Sequence, residues 1–301
     1  MPRNRPSSTA RKVASDFLYR AEEPAVARLA PAGSVAATIE LLSAAGLLKP
    51  WMMSLIRRPW YRRFADAIER ATLPGHLLHL VLRKRFIDDE VRASIAGGVR
   101  QVLVVGGGYD TLCMRLAAEY PAVEFVELDH PPTHAVKQEG VRRLGRERPN
   151  LHLEGVDLGQ RSLARVMEES PVWRTDSPGV VVAEGVLMYL SGEDVVAFLE
   201  AVRSISVRGS RLIATWVYQA SLGRAELGRF GPLILVLLRL VGEPFRWGVD
   251  EAGIDPFLLA QGFRADVPSR FDLAARYLES AGEGDRHLSR FERVVAADSL
   301  A

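Results

Sequence analysis

Three consecutive glycines follow an apolar run and could admit a ligand to contact distance from the main chain. The run VLVV at 102–105 leads into Gly106, Gly107 and Gly108. Because glycine reaches positive φ without strain, Gly106 and Gly108 would let the backbone turn sharply against a bound molecule. Asp129, at the end of the next apolar run, could accept hydrogen bonds from both hydroxyls of a ribose. Together these residues indicate a site for a dinucleotide or a nucleoside.

The residues after the glycines distinguish between these two classes of ligand. The dinucleotide fingerprint G-x-G-x-x-G starting at Gly106 needs glycine where this chain has Thr111. Asp110 stands at the start of the following helix, where its charge would repel a diphosphate. S-adenosylmethionine has no phosphate, so Asp110 is compatible with it, either as a helix cap or facing the ammonium group. The electrostatics favour S-adenosylmethionine; the structural alternative is a helix cap in a sheet without a cofactor.

Further polar residues could complete such a site. Asp157 ends a third apolar run and could reach an adenine amino group, although an exposed turn is the competing interpretation. Glu184 follows the run VVVA, and a carboxylate just past a buried strand is costly unless it has a partner or a function. Arg83 could form a bidentate pair with the cofactor carboxylate. Lys84 and Arg85 are competing candidates, and the sequence leaves open which of the three points inward.

A parallel sheet must hold these candidates, because short apolar runs alternate with amphipathic segments along the middle of the chain. Such alternation is typical of a sheet with helices on both faces. Ligands bind beyond the carboxyl ends of parallel strands, which is where the candidate residues fall. The pattern predicts strands over 101–105, 123–129, 150–157, 179–190 with its exit loop, and 210–217.

The same pattern divides the chain into four segments. We predict a mostly helical segment over 1–98, the cofactor-binding core over 99–217, a helical insertion over 218–262 and two further strands over 263–301. The insertion contains GPLILVLLRLVG, which we expect to form a lid over the acceptor. Aromatic side chains past strand ends or in the insertion are expected to wall the acceptor pocket, with core packing as the alternative for each: Tyr189, Trp216, Tyr218, Phe230, Phe245 and Trp247.

The composition is that of an ordinary soluble protein and argues against several classes of function. The formal charge is +2 over 301 residues, which gives no sign of a nucleic-acid partner. The only cysteine, Cys113, excludes an internal disulfide and a cysteine-based metal site, and we expect no metal. No secretory signal is evident, and the longest apolar run falls far short of the ~20 residues that span a bilayer. We expect a cytoplasmic protein without a membrane partner; its oligomeric state stays open.

Five stretches together resemble the leucine carboxyl methyltransferase family of class I S-adenosylmethionine-dependent O-methyltransferases, in particular its bacterial branch. They are LRKRFIDDEV, GVRQVLVVGGGYDT, FVELDHPPTHAVK, EGVLMYL and GEPFRWGVD. The resemblance implies a Rossmann-like α/β fold with a mostly parallel seven-stranded sheet, a helical N-terminal extension and a helical lid. Gly107 and His130 adjoin the implied cofactor contacts and are included with them. Those contacts are Arg83 to the carboxylate, Gly106 and Gly108 along the methionine moiety, Asp129 to the ribose, Asp157 and Leu158 beside the adenine, and Glu184 near the amino-acid end.

The resemblance also implies a reaction. Methyl transfer from a sulfonium is an in-line displacement, so the protein mainly has to align the acceptor oxygen and exclude water. A carboxylate acceptor needs no base, whereas a hydroxyl would be helped by one; we name no catalytic residue. We expect an O-methyltransferase acting on a carboxylate or hydroxyl of a small, apolar secondary metabolite. The alternatives are methylation of a protein C-terminus and a repurposed member that binds the cofactor without methyl transfer.

Overall fold

A seven-stranded sheet forms the centre of the molecule. The computed structural model describes residues 5–218, 231–240, 242–266 and 272–300. The strands are β1 Gln101–Val105, β2 Glu124–Asp129, β3 Leu151–Gly155, β4 Val180–Ala183, β5 Arg211–Val217, β6 Phe263–Ala265 and β7 Glu292–Ser299. Their order across the sheet is β3-β2-β1-β4-β5-β7-β6. The first five strands are parallel, and β7 lies antiparallel between β5 and β6.

Twelve α-helices are found in the described ranges. A 3₁₀ turn at Leu187–Tyr189 follows β4, and a π-helical segment spans Ala274–Glu279. The α-helices are α1 Ser8–Ala21, α2 Pro24–Ala27, α3 Ser34–Ala44, α4 Pro50–Ile56, α5 Pro59–Thr72, α6 His76–Ala96, α7 Leu112–Glu119, α8 Pro131–Arg143, α9 Leu163–Glu168, α10 Gly192–Ser204, α11 Gly231–Leu240 and α12 Glu251–Ala260.

The register of the central strands brings the ends of β1 and β2 together. All five residues of β1 are buried, as the continuous apolar run predicts for a strand covered on both faces. Val105 lies opposite Leu128, so the glycine turn after β1 and Asp129 at the end of β2 emerge side by side. The main-chain NH of Gly106 also donates to Leu128 O at 2.8 Å.

The antiparallel strand β7 brings distant residues to the same edge of the sheet. In the β5–β7 pair, Val217 at the carboxyl end of β5 lies opposite Glu292 at the start of β7. Because β7 runs against its neighbours, its first residue lies where the parallel strands end. Glu292 therefore lies at the same edge of the sheet as Asp129 and the glycine turn.

The predicted fold class is confirmed. Each predicted strand of the core is present, and the last segment supplies the two strands that complete the sheet. One hydrophobic core includes Phe17 of α1, Val104 of β1, Trp216 of β5 and Val294 of β7. The boundaries of the four segments stay a prediction, and residues 219–230 of the insertion, with Phe230, lie outside the described residues.

None of the described helices combines the length and the apolar character needed to cross a bilayer.

Candidate functional site

The glycine turn after β1 is the first component of the site. Gly106 and Gly108 have φ values of 70° and 54°, a region in which glycine alone is unstrained. A Cβ on Gly106 would lie 2.7 Å from Val186 Cγ2, and one on Gly108 would lie 3.1 Å from Ala10 Cβ. These two close approaches are to protein side chains, while the turn itself lines a large cavity. The glycines thus serve packing as well as access for a ligand.

A buried ion pair lies beneath the turn. Glu127 of β2 accepts a hydrogen bond from Lys137 Nζ of α8, and both residues are almost fully buried. A Cβ on Gly107 would overlap the Glu127 carboxyl group, so a side chain at this position would push the turn off the pair. Burial raises the pKa of Glu127, although Lys137 opposes the rise. The sequence analysis missed this pair. The indication in the sequence was Glu127, an acidic residue inside the apolar run FVEL.

Asp129 connects the glycine turn to the start of α8. Its Oδ2 accepts from Gly108 N at 2.5 Å, and its Oδ1 accepts from His130 N at 2.6 Å. Burial raises the pKa of Asp129, against the effect of these two main-chain donors. Because a carboxylate offers about four acceptor sites, Asp129 keeps lone pairs for hydroxyl groups in the cavity that it lines.

Asp110 stands at the mouth of α7, as the sequence analysis expected. Its Oδ1 accepts from Leu112 N at 2.7 Å, and its Oδ2 accepts from Lys84 Nζ at 2.5 Å. Burial alone would raise the pKa of Asp110, but the ammonium group of Lys84 outweighs it and holds this pKa well below its usual range. Asp110 is therefore ionised at neutral pH, and its carboxylate already occupies a main-chain NH that a phosphate at this helix start would need.

Arg83, in the middle of α6, lies between two carboxylates. Its Nη2 and Nε donate to Glu184 Oε1 at 2.7 and 3.0 Å, and its Nη1 donates to Glu292 Oε1. Burial opposes the charge on Arg83, but Glu292 and Glu184 together raise its pKa. Arg83 and Glu184 were predicted from the sequence; Glu292, the first residue of strand β7, was missed.

The two neighbours of Arg83 point in different directions. Lys84 Nζ lies 3.2 Å from Glu184 Oε1, in addition to its contact with Asp110. Arg85 instead pairs with Asp89 at 2.9 Å, one helical turn further along α6. Arg83 and Lys84 line the cavity, and Arg85 is absent from its described wall. Arg85 is thereby removed from the three candidates for the cofactor carboxylate.

The other predicted cofactor contacts also line the cavity. Asp157 Oδ1 accepts from Gly159 N at 3.0 Å, which makes it part of a turn after β3. Leu158 is half-buried beside it and packs against the core. His130 precedes α8, and its buried Nδ1 has no hydrogen-bond partner among the described residues. The structure brings all nine predicted positions around one cavity: Arg83, Gly106, Gly107, Gly108, Asp129, His130, Asp157, Leu158 and Glu184.

Two histidines lie on the first turn of α6, and sequence reasoning gave them no role. The rings of His76 and His79 stack with centroids 6.5 Å apart, and His76 meets Phe291 edge-on at 6.1 Å. His79 Nε2 lies 3.4 Å from Glu292 Oε1. Burial lowers the pKa of His76 to about 4 despite the nearby Glu292. His76 is thus a neutral imidazole at pH 7, and it lines the cavity.

The aromatic residues predicted for the acceptor pocket fall into two groups. Tyr189 and Phe245 line the cavity, with ring centroids 5.5 Å apart. Trp216 and Trp247 instead pack against each other at 5.7 Å, in the core beside α12. Tyr218 packs against the same core, and none of these last three forms part of the described cavity wall. The structure therefore does not support an acceptor-binding role for Trp216, Tyr218 or Trp247; core packing, the alternative interpretation, is what it shows.

The cavity has a volume of about 1240 Å³ and continues past the charged residues into an apolar chamber. Its outer rim is formed by α4, α5 and α11. Large apolar side chains of these three helices that line the cavity include Met52, Ile56, Phe64, Ile68, Leu235 and Leu238.

Comparison with known proteins agrees with this geometry. The profile of the leucine carboxyl methyltransferase family matches residues 22–203. A relative from Parafrankia sp., provisionally named an S-adenosyl-L-methionine-dependent methyltransferase, is 34% identical over 137 residues, or 44% of this chain and 43% of its own. A relative with the same provisional name from Streptomyces avermitilis is 31% identical over 208 residues, 66% of each chain. The chain thus spans about half to two thirds of the length of these relatives, whose names agree with the cofactor expected from the sequence.

Two solved structures share the fold. A provisionally named methyltransferase from Thermobifida fusca has a TM-score of 0.58 at 18% identity, over 87% of this chain and 94% of its own. A DUF574 family protein from Streptomyces avermitilis has a TM-score of 0.61 at 14% identity, over 86% of this chain and 95% of its own. At such identities the likeness supports the fold alone. The profile match extends over more than half of the residues, and the chain belongs to the leucine carboxyl methyltransferase family.

Proposed function

We propose that the protein transfers the methyl group of S-adenosylmethionine to an oxygen atom of a small, apolar molecule. The observation that carries this proposal is one continuous cavity that runs from the glycine turn to an apolar chamber. Its volume of about 1240 Å³ exceeds the about 300–1,000 Å³ of a pocket for one small ligand. A nucleoside cofactor and an apolar acceptor would fit in it side by side.

The cofactor end suits a cationic nucleoside better than a diphosphate. Asp129 offers acceptor sites for ribose hydroxyls, and the ionised Asp110 disfavours phosphate at the start of α7. Glu184 presents a further carboxylate to the cavity, within reach of Arg83 and Lys84. This ion-pair cluster would hold the amino-acid group of S-adenosylmethionine, with its ammonium near a carboxylate and its carboxylate near Arg83 or Lys84. When bound, the cofactor supplies a methyl group already activated by the sulfonium.

The charges beside the amino-acid end of the cofactor support a hydroxyl as the reacting group. The buried cations Arg83 and Lys84 are already paired with Glu184, Glu292 and Asp110, so an anionic acceptor would meet no uncompensated positive charge there. A neutral hydroxyl adds no charge to the buried site.

His76 supports the same preference. Its neutral imidazole could accept a hydrogen bond from a hydroxyl and take the proton as the oxygen gains the methyl group. The proton would then be stabilised by Glu292, which lies beyond the adjacent His79.

The test uses tritiated S-adenosylmethionine and acceptors that differ only in the reacting group. Long-chain alcohols and alkylphenols would be compared with carboxylic acids of the same chain length and with a peptide C-terminus. Mild alkali releases label from a methyl ester and leaves a methyl ether intact. We expect base-stable label in the hydroxyl compounds, and His76→Asn should lower kcat for them at least 10-fold while cofactor affinity is kept.

Predominantly base-labile label would replace the hydroxyl by a carboxylate as acceptor. Label confined to the peptide would contradict a small-molecule acceptor.

A further inference from the structure

The exposed apolar side chains of the molecule are concentrated on one surface. Nine large hydrophobic side chains are exposed among the described residues, and seven of them lie on α4, α5 and α11. On α5, Trp60, Phe64 and Ile68 follow one another at four-residue spacing and are 63%, 58% and 47% exposed. They therefore form one apolar row along the outer face of the helix. The others are Trp51 on α4, and Leu233, Val236 and Leu240 on α11. We call these seven residues the apolar rim.

The apolar rim is continuous with the cavity. Phe64 and Ile68 belong to both, since they are exposed and also line the cavity. On α11, Leu235 and Leu238 line the cavity while Leu233 and Leu240 face outward. An apolar molecule that leaves the chamber between α5 and α11 would thus pass the exposed apolar side chains of both helices.

Positive charge borders the apolar rim on one side. Residues 49–72 contain six basic and two acidic side chains, whereas the whole chain has a net charge of only +2. Arg58, Arg63 and Arg70 are exposed, and none has a described acidic partner within 4.0 Å. On the helical repeat, Arg63 and Arg70 fall on one flank of the row formed by Trp60 and Phe64. Apolar side chains with basic residues at their flank are the pattern of a helix that lies in a membrane interface.

We propose that the apolar rim docks on the surface of an anionic lipid bilayer, so that an acceptor dissolved in the lipid can enter the cavity directly. The entry of an acceptor rests on the proposed function, whereas the docking does not. Trp51 and Trp60 would lie at the level of the headgroups, where amphipathic aromatic rings are favoured. The arginines would meet anionic headgroups, which attract basic side chains near the membrane surface. The sequence analysis expected no membrane partner because it considered only spanning segments.

A second copy of the chain suits this surface less well. In a twofold contact centred on the apolar rim, both copies would bring the same excess of basic residues to the interface. These like charges would repel each other. An anionic lipid surface complements the same charges.

The test is co-sedimentation of the full chain, without cofactor or acceptor, with vesicles of phosphatidylcholine alone and of phosphatidylcholine with phosphatidylglycerol. We expect binding to the anionic vesicles only, and weaker binding at high salt. Two double variants, Trp51→Ser with Trp60→Ser and Arg58→Glu with Arg63→Glu, should each weaken binding at least 10-fold. Neither pair lines the cavity, so thermal unfolding and S-adenosylmethionine binding should stay as in the unaltered protein.

Matched control variants make the same kinds of substitution elsewhere on the surface. Leu259→Ser removes an exposed hydrophobic side chain of α12, and Arg142→Glu with Arg143→Glu inverts two exposed charges of α8. Both should bind vesicles as the unaltered protein does. The docking proposal is overturned if the protein does not sediment with anionic vesicles. It is also overturned if the two double variants bind these vesicles as well as the control variants do.

A dimer in sedimentation velocity that the Trp51→Ser and Trp60→Ser changes dissociate, without vesicle binding, would assign the apolar rim to a contact between copies. Methyl transfer to water-dispersed acceptors is measured separately, so its failure would leave the docking result unaffected.

Discussion

The buried charges of the site stabilise one another in a continuous ion-pair network. Glu292, Arg83, Glu184, Lys84 and Asp110 are linked by successive ion pairs from β7 to the start of α7. Each of these charges alone would be expensive to bury, and removing one would leave its neighbour unpaired. The geometry of the cavity wall is therefore set before any ligand arrives. His76 lies beside this ion-pair network as a neutral imidazole.

His76 makes the stability of the protein depend on pH. Substitution of this one residue would show how much of the pH dependence it causes. Its pKa falls from about 6.5 when unfolded to about 4 when folded, chiefly because it is buried. Its unfolded form therefore binds a proton first, so stability is full above pH 6.5 and decreases as pH falls towards 4. We expect a loss of up to about 1.4 kcal/mol for each pH unit over this range.

Urea unfolding at pH 7, 6 and 5 would measure this dependence. His76→Asn should be less sensitive to acid between these values than the unaltered protein, and the difference should vanish above pH 7. Parallel pH profiles for the two proteins would contradict the burial of a neutral His76.

At the scale of elements, α6 is the helix that assembles the site. It carries His76, His79, Arg83 and Lys84, and its first turn is held against the segment before β7. Ser289 N donates to Gly75 O at 3.3 Å. Gly75 has a φ of 73°, and a Cβ there would lie 2.6 Å from His287 O. The start of α6 therefore depends on glycine for its conformation and for the close packing of the two main chains.

Gly75→Ala should destabilise the protein more than Gly46→Ala does. Gly46 has nearly the same φ, 72°, but no atom lies within 4 Å of the Cβ it would gain. The two alanines share the cost of the left-handed conformation, about 1–2 kcal/mol. Only Gly75→Ala adds overlap with main-chain atoms, for a further ~1–3 kcal/mol. Denaturant midpoints of the two variants test this. Equal midpoints would show that the segment before β7 shifts to accommodate the added Cβ without a loss of stability.

Local pattern was enough to locate the parts of the site that follow a strand directly. The glycine turn, Asp129 and Glu184 each come just after an apolar run, and parallel strands end at one edge. Glu292 was missed because its place depends on β7 inserting antiparallel beside β5, a long-range pairing that local periodicity does not encode. Trp216 was misplaced for a related reason. Successive side chains of β5 face opposite sides of the sheet, and Trp216 faces the core beside α12.

At the scale of the whole molecule, the cavity joins segments that are far apart in the chain. Its described wall includes residues of α1, α6, the ends of β1, β2 and β4, α11 and the start of β7. A ligand that fills it would hold these segments together, so its binding free energy should appear as global stability.

S-adenosylmethionine should therefore raise the unfolding temperature of the intact protein, and NAD should not. A ligand at 100 times its Kd adds about 2.7 kcal/mol, which at about 2–4 °C per kcal/mol corresponds to a shift of roughly 5–11 °C. Asp129→Asn should abolish most of the shift because it removes charge from the predicted ribose acceptor. Asp176→Asn, at an exposed position, should keep it. A shift with NAD alone would contradict the assignment of the cofactor.

The pairing of Arg83 with Glu292 joins residues 209 positions apart and has a consequence for the order of folding. A folding intermediate that contains only the parallel strands would lack one of the two counter-charges of this guanidinium. Since Glu292 also lines the cavity, competence to bind an acceptor should be gained only once β7 has paired with β5, and lost as soon as that pairing opens. Activity would then report on native structure more sensitively than helix content does.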